Sequence, residues 1–144
     1  MDTALIDVRY LTIEDYQELK ESMMQAYASL GGQYWKEEAI KKLIHKFPDG
    51  QIVITLDGKV VGCALSIIVY YDKFGDKHNY REITGNFSFE THNSKGDTLY
   101  GIEIFVHPNY RGMRLARRLY DTRKMLCERL NLKAIVAGGR IPKY

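Results

Sequence analysis

The chain has only two cysteines in 144 residues, Cys63 and Cys127. They lie far apart, in a predicted strand and a predicted helix, without metal-ligand spacing. That excludes a disulfide framework and leaves two packed, reduced thiols. Long apolar runs are missing as well. Nothing approaches the roughly 20 residues that a membrane span needs, and no leader peptide is readable at the first residues. The expectation is therefore a cytoplasmic protein, in which the sequon Asn86-Phe-Ser88 carries no weight. The four histidines, His45, His78, His92 and His107, show no i,i+4 or short-loop spacing, so no metal site is expected. No Ser-His-Asp arrangement or activated cysteine can be read, and there are no repeats or low-complexity tracts. What is present is ordinary globular composition, 45% apolar and 27% charged. A chain of this size buries a real core, and residues 1–144 are expected to form one domain.

Charge is unevenly placed. The net charge is +3, yet Arg111–Lys133 holds eight basic and two acidic residues, a local +6, so the rest sums to −3. This basic segment follows the most informative stretch of the chain, Tyr100-Gly-Ile-Glu-Ile-Phe-Val-His-Pro-Asn-Tyr-Arg-Gly-Met-Arg-Leu-Ala-Arg-Arg118. It reads as a buried strand, a Pro-Asn turn, a basic glycine-containing loop and the start of an amphipathic helix. The first N–H groups of a helix lack intrahelical partners, and the helix dipole adds partial positive charge there. Arg111, Arg114, Arg117 and Arg118 crowd the same point. The combination suits a phosphate-bearing ligand.

The remaining elements follow from periodicity. Ile6–Leu11 is a predicted strand; Thr12, with Asp15 in the capping-box position, starts a helix that runs to about Ala28. Gly31-Gly32 breaks it, and a second helix covers Trp35–Lys46. Gln51–Leu56 and Lys59–Tyr70 are strands joined by Asp57-Gly58, a strong hairpin signal. Leu99–Val106 is the next strand, Leu115–Leu130 a helix with Leu115, Leu119, Leu126 and Leu130 inward, and Lys133–Ala137 the last strand. Tyr71–Gly96 stands apart as a polar insertion of 26 residues, a length that is usually either functional or disordered.

The segment Val106-His-Pro-Asn-Tyr-Arg-Gly-Met-Arg-Leu-Ala116 resembles the acetyl-CoA loop of the GNAT N-acetyltransferases, Arg/Gln-x-x-Gly-x-Gly/Ala after a strand ending in Val-x-Pro. Arg111 matches the first position and Ala116 the last, while Arg114 stands where the family has its middle glycine. Gly112 is in place to supply part of the missing freedom. The order β-α-α-β-β-β-α-β is that of the GNAT fold as far as its fifth strand. The resemblance thus implies an α/β (α+β) fold, a mixed central sheet with helices on both faces, whose last helix and strands are missing from this chain. Thr91–Ile104, Arg117–Leu130 and the ending Ala137-Gly-Gly-Arg-Ile-Pro-Lys-Tyr144 are similar to the GNAT-like domain of bacterial proteins in which it precedes a carbon–nitrogen (nitrilase-type) hydrolase. In those proteins an arginine at the Arg114 position is part of the pattern.

The resemblance also implies roles. Phe105, Val106 and His107 would offer backbone groups to the pantetheine arm and the thioester of acetyl-CoA. Arg111, Gly112, Met113, Arg114, Leu115 and Ala116 would hold the pyrophosphate. Glu103, the one charge on an otherwise apolar strand, is the candidate general base, because burial raises a carboxyl pKa toward the useful range; the alternative is a glutamate paired with a nearby arginine. By strand alternation it shares a face with Leu99, Gly101 and Phe105. Tyr144 is the candidate for protonating the CoA thiolate. The expected reaction is acetyl transfer to a primary amine, of a small molecule or a protein, with CoA as cosubstrate and no metal. The competing reading is a non-catalytic CoA-binding or regulatory domain attached to a hydrolase. A nucleic-acid-binding domain would rest on the basic helix alone. A sheet that ends at its fifth strand exposes an edge, which leaves homodimer pairing open.

Overall fold

In the computed structural model, residues 5–71, 85 and 88–137 are described. Five strands form one sheet in the order β1-β2-β3-β4-β5. They are β1 (Ile6–Tyr10), β2 (Ile52–Leu56), β3 (Lys59–Val69), β4 (Thr98–Val106) and β5 (Ala134–Ala137). The first four pair antiparallel and β5 runs parallel to β4. Among the described residues three helices cover the sheet: α1 (Tyr16–Ala26), α2 (Glu37–Lys46) and α3 (Leu115–Arg129). The GNAT-type α/β architecture expected from the element order is thus present, with each predicted element within a few residues of its place.

Local chemistry explains the main joints. The Thr12 N–H donates to Asp15 Oδ2 at 2.9 Å, and Arg9 reaches both oxygens of the same carboxylate at 2.8 Å. Arg9 and these hydrogen bonds hold the Asp15 carboxyl below its usual range and fix the turn from β1 into α1. Asp57 and Gly58 both take positive φ, 50° and 85°, as a tight hairpin requires. Gly31 and Gly32, at φ 92° and 68°, end the α1 region.

The apolar residues divide by face. Leu19, Met23 and Tyr27 from the α1 region and Ile40 and Leu43 from α2 pack on one side of the sheet. Leu115, Leu119, Leu126 and Cys127 of α3 pack on the other. Both cysteines are free and buried, and burial pushes the Cys63 thiol well up. His92 belongs to the described part of the insertion. Its Nδ1 accepts from the Ile68 N–H at 3.0 Å and its ring stacks on Phe47 at 4.9 Å. Burial lowers its pKa, consistent with a neutral ring. His78 lies outside the described residues. No helix among the described residues is long and apolar enough to cross a membrane.

β4 is the strand that matters most. Its register with β3 shifts between Leu65↔Glu103 and Ser66↔Gly101, so Ile102 is an extra residue. A bulge of this kind places two successive side chains on the same face. Tyr100, Ile102 and Phe105 pack with the α1 region, as Glu103 also does through Tyr27, whereas Ile104 and Val106 pack with α3. This corrects simple alternation, which put Glu103 with Leu99 and Gly101. Leu99 packs with Leu126 and Cys127, and Gly101 faces Arg123, so both lie on the α3 side.

Candidate functional site

The loop that follows β4 is shaped by two left-handed residues. Gly112 has φ 91° and Arg114, the N-cap of α3, has φ 60°. An added Cβ at Gly112 would meet nothing within 4 Å, so the constraint there is conformational rather than steric. Arg114 adopts, with a full side chain, a conformation that a glycine takes without penalty. The first bond into α3 runs from Arg118 N to Arg114 O at 3.2 Å. The N–H groups of residues 115–117 therefore have no intrahelical acceptor and point out of the positive end of the helix dipole.

This helix end opens on a cavity of about 570 Å³. The loop contributes Arg111, Gly112, Arg114, Leu115 and Ala116 to its wall, and β4 contributes Ile104, Phe105 and Val106. Tyr27, Tyr110 and Tyr120 complete much of the rest. Seven of the residues singled out in the sequence thus face one space. Met113 and His107 are not on the wall. The Met113 side chain is exposed. The His107 N–H donates to Val61 O at 2.7 Å, and its Nδ1 accepts from the Asn109 N–H at 3.1 Å, closing the turn.

The backbone of β4 is open where it meets the cavity. Hydrogen-bonded and non-hydrogen-bonded pairs alternate along an antiparallel ladder. The bond from His107 to Val61 marks that pair as hydrogen-bonded, so 106/62 and 104/64 are the non-bonded pairs. The N–H and C=O groups of Ile104 and Val106 consequently point away from β3. On their other side, β5 pairs with Thr98–Gly101 only, among the described residues. Of Phe105, Val106 and His107, only Val106 therefore has backbone groups without a strand partner among the described residues. Ile104, which the sequence reading passed over, joins it, because the ladder phase is fixed by a bond that no sequence pattern announces.

Glu103 is buried, 3% exposed, and lies behind this wall. Its Oε2 accepts from the Tyr27 hydroxyl and its Oε1 from Trp35 Nε1 at 3.0 Å. Both donors are held from elsewhere. Ser22 Oγ donates to Val60 O at 2.8 Å and Glu18 accepts from the Val60 N–H at 2.9 Å, pinning α1 to β3. The Tyr16 hydroxyl donates to Trp35 O at 2.7 Å. Tyr27 also packs edge-on against Phe105, with ring centroids 6.2 Å apart. Neither Tyr27 nor Trp35 was singled out in the sequence, where each reads as ordinary helix packing.

Arg123 was hidden in the basic face of α3, although the helical period from Leu119 to Leu126 places it inward. It is 3% exposed, and its Nη2 donates to Leu65 O and to Glu103 O, each at 2.7 Å. It thus spans the bulge. Burial lowers its pKa. Tyr144 lies outside the described residues. No group of three or more metal-ligating side chains occurs among the described residues.

Similarity to known proteins agrees with this geometry. The profile of the Acetyltransferase (GNAT) family matches residues 13–140. The chain belongs to the GNAT acetyltransferase family. It is 41% identical over 114 residues to the probable hydrolase YhcX of Bacillus subtilis, covering 79% of this chain and 22% of that protein. It is 31% identical over 110 residues to the uncharacterized N-acetyltransferase YkwB of the same organism, covering 76% and 49%. The chain therefore spans at most about half the length of these curated relatives. Among solved structures, the GphF GNAT-like decarboxylase in complex with isobutyryl-CoA superposes with a TM-score of 0.77 at 16% identity, over 96% of this chain and 68% of that one.

Proposed function

We propose that this GNAT domain transfers the acetyl group of acetyl-CoA to a primary amine of a small molecule or a protein. The observation that carries the reading is the joining, in one cavity, of a basic helix N-terminus with the unpaired backbone of β4. The pyrophosphate sits on the N–H groups that open α3, beside Arg111 and Arg114. The pantetheine arm lies along Ile104 and Val106 as an additional strand. An N–H at that edge stabilises the oxyanion formed on attack, as a preorganised donor does in a water-poor site. Glu103 is the proton acceptor. The acyl-CoA bound to the GphF decarboxylase, a protein of similar fold, supports a thioester ligand here.

Calorimetry with acetyl-CoA tests the cavity. Each charge-assisted contact to phosphate contributes about 1.5–3 kcal/mol, so Arg111→Ala and Arg114→Ala are each expected to weaken binding by about tenfold to a hundredfold. Unchanged affinity in both variants removes the assignment.

A second reading has its own support, since the relative at 41% identity is a probable hydrolase of which this chain covers 22%. In that case the domain binds CoA and regulates an attached carbon–nitrogen hydrolase without transferring anything. Release of CoA thiol on adding amines separates the two, because a module that only binds gives none.

A further inference from the structure

The proposed proton acceptor is not on the cavity wall. Glu103 lies behind it, and Tyr27 alone, among the described residues, both lines the cavity and hydrogen-bonds the Glu103 carboxyl. Tyr27 is itself only 2% exposed, but it is the member of the pair that faces the cavity. We propose that Tyr27 is the catalytic residue that contacts the reacting atoms, and that Glu103 acts through it as a positioning and proton-accepting partner. The inference rests on the acetyl-transfer reading above and specifies the proton path within it.

The geometry supplies the parts of a relay. Both carboxyl oxygens accept, one from a hydroxyl and one from an indole N–H, which is the pattern of an ionised carboxylate. As the amine nitrogen attacks the acetyl carbon, its proton passes to Tyr27 Oη while the Tyr27 hydroxyl proton passes to Glu103 Oε2. The C–N bond forms, the C–S bond breaks, and the electron pair leaves with the CoA sulfur. The relay then runs backward: Glu103 returns its proton to Tyr27, and Tyr27 protonates the thiolate. The sum is amine plus acetyl-CoA giving amide plus CoA thiol, with Tyr27 and Glu103 restored. The same tyrosine thereby performs the last protonation, the task for which Tyr144 was the sequence candidate. Trp35 holds the other carboxyl oxygen in place.

Trp35 also supplies the readout. It is the only tryptophan in the chain, and its indole donates directly to Glu103, so its emission reports the protonation of that carboxyl. In the full chain, CoA thiol release is followed with acetyl-CoA and a panel of small primary amines and lysine-containing peptides, alongside Trp35 emission across pH. The emission midpoint is expected to coincide with the acid limb of the kcat profile and to vanish in Glu103→Gln. Tyr27→Phe is expected to lower kcat about 100-fold or more at every pH, with acetyl-CoA affinity nearly unchanged. The double variant should be no slower than the slower single one, because the two groups act as one unit.

Several results would overturn the relay: a Tyr27→Phe variant within threefold of wild type, effects that multiply in the double variant, or an emission midpoint unrelated to the rate profile. The last comparison uses wild type alone, so it can overturn the relay even if Tyr27→Phe does not fold. A chain that binds acetyl-CoA yet releases no thiol with any amine also overturns the relay and leaves the binding cavity standing. Absence of acetyl-CoA binding removes the cavity assignment itself, and the relay with it.

Discussion

Arg123 and Arg114 lie nine residues apart on one motif and do opposite things. Arg114 is exposed at the mouth of the cavity, with a strained backbone and a side chain directed at no described partner that would hold it in place. Arg123 is buried against β4, with an unstrained helical backbone and a guanidinium committed to two carbonyls across the bulge. The contrast teaches where this domain spends its positive charge. One arginine keeps a strand in its functional shape, and the other is left for a ligand. Net charge alone cannot distinguish them.

The comparison breaks most completely at Arg123. Arg123→Met keeps much of the length and removes both charge-assisted bonds, each of about 1.5–3 kcal/mol. Buried carbonyls of Leu65 and Glu103 lose their donor at the bulge that aims Glu103 at Tyr27. The expected loss is about 3–5 kcal/mol of stability, read as a lower midpoint in urea. A loss below about 1 kcal/mol would mean that water or neighbouring backbone replaces the guanidinium.

That arginine also shows what the sequence could and could not disclose. The loop 111–116 is contiguous, so its charge, glycine and helix start are legible together. The hairpin at Asp57-Gly58 and the capping box at Thr12 are local in the same way. Glu103 could be found as the lone charge of an apolar strand. Its surroundings could not, because the bulge at Ile102 is a property of two strands in register. Tyr27 and Trp35 reach Glu103 from 76 and 68 residues away, and each looks like packing where it stands. Arg123 carried a readable signal in the helical period, which the surrounding run of basic residues obscured. The free backbone of Ile104 rests on ladder phase, and a one-residue slip would have reversed it.

A gentler break comes from the other side of the same contact. An added Cβ at Gly101 would stand 2.5 Å from Arg123 Nη1 and 2.8 Å from Cζ. The obstacle is the end of a flexible side chain, but one tethered at 2.7 Å to two carbonyls. Gly101→Ala is therefore expected to cost about 1–3 kcal/mol, in the range of overpacking. The effect should largely disappear in the Arg123→Met background, where a double-variant cycle measures the coupling. Full additivity of the two changes would show that the glycine serves the strand for some other reason.

The smallest effect sharpens the comparison by reversing its sign. Arg114→Gly removes a side chain from a residue at φ 60°, where the left-handed region penalises any Cβ by about 1 kcal/mol. The folded chain should gain up to about that amount, less the entropy that a new glycine adds to the unfolded state. Acetyl-CoA affinity should nevertheless fall, because the charge leaves with the side chain. Arg114→Ala keeps the strain and loses the same charge, so the two variants should bind alike and differ in stability. If Arg114→Gly instead binds acetyl-CoA as tightly as wild type, the turn's backbone rather than the guanidinium holds the phosphates. The cavity assignment would survive that result, and the role given to Arg114 would not.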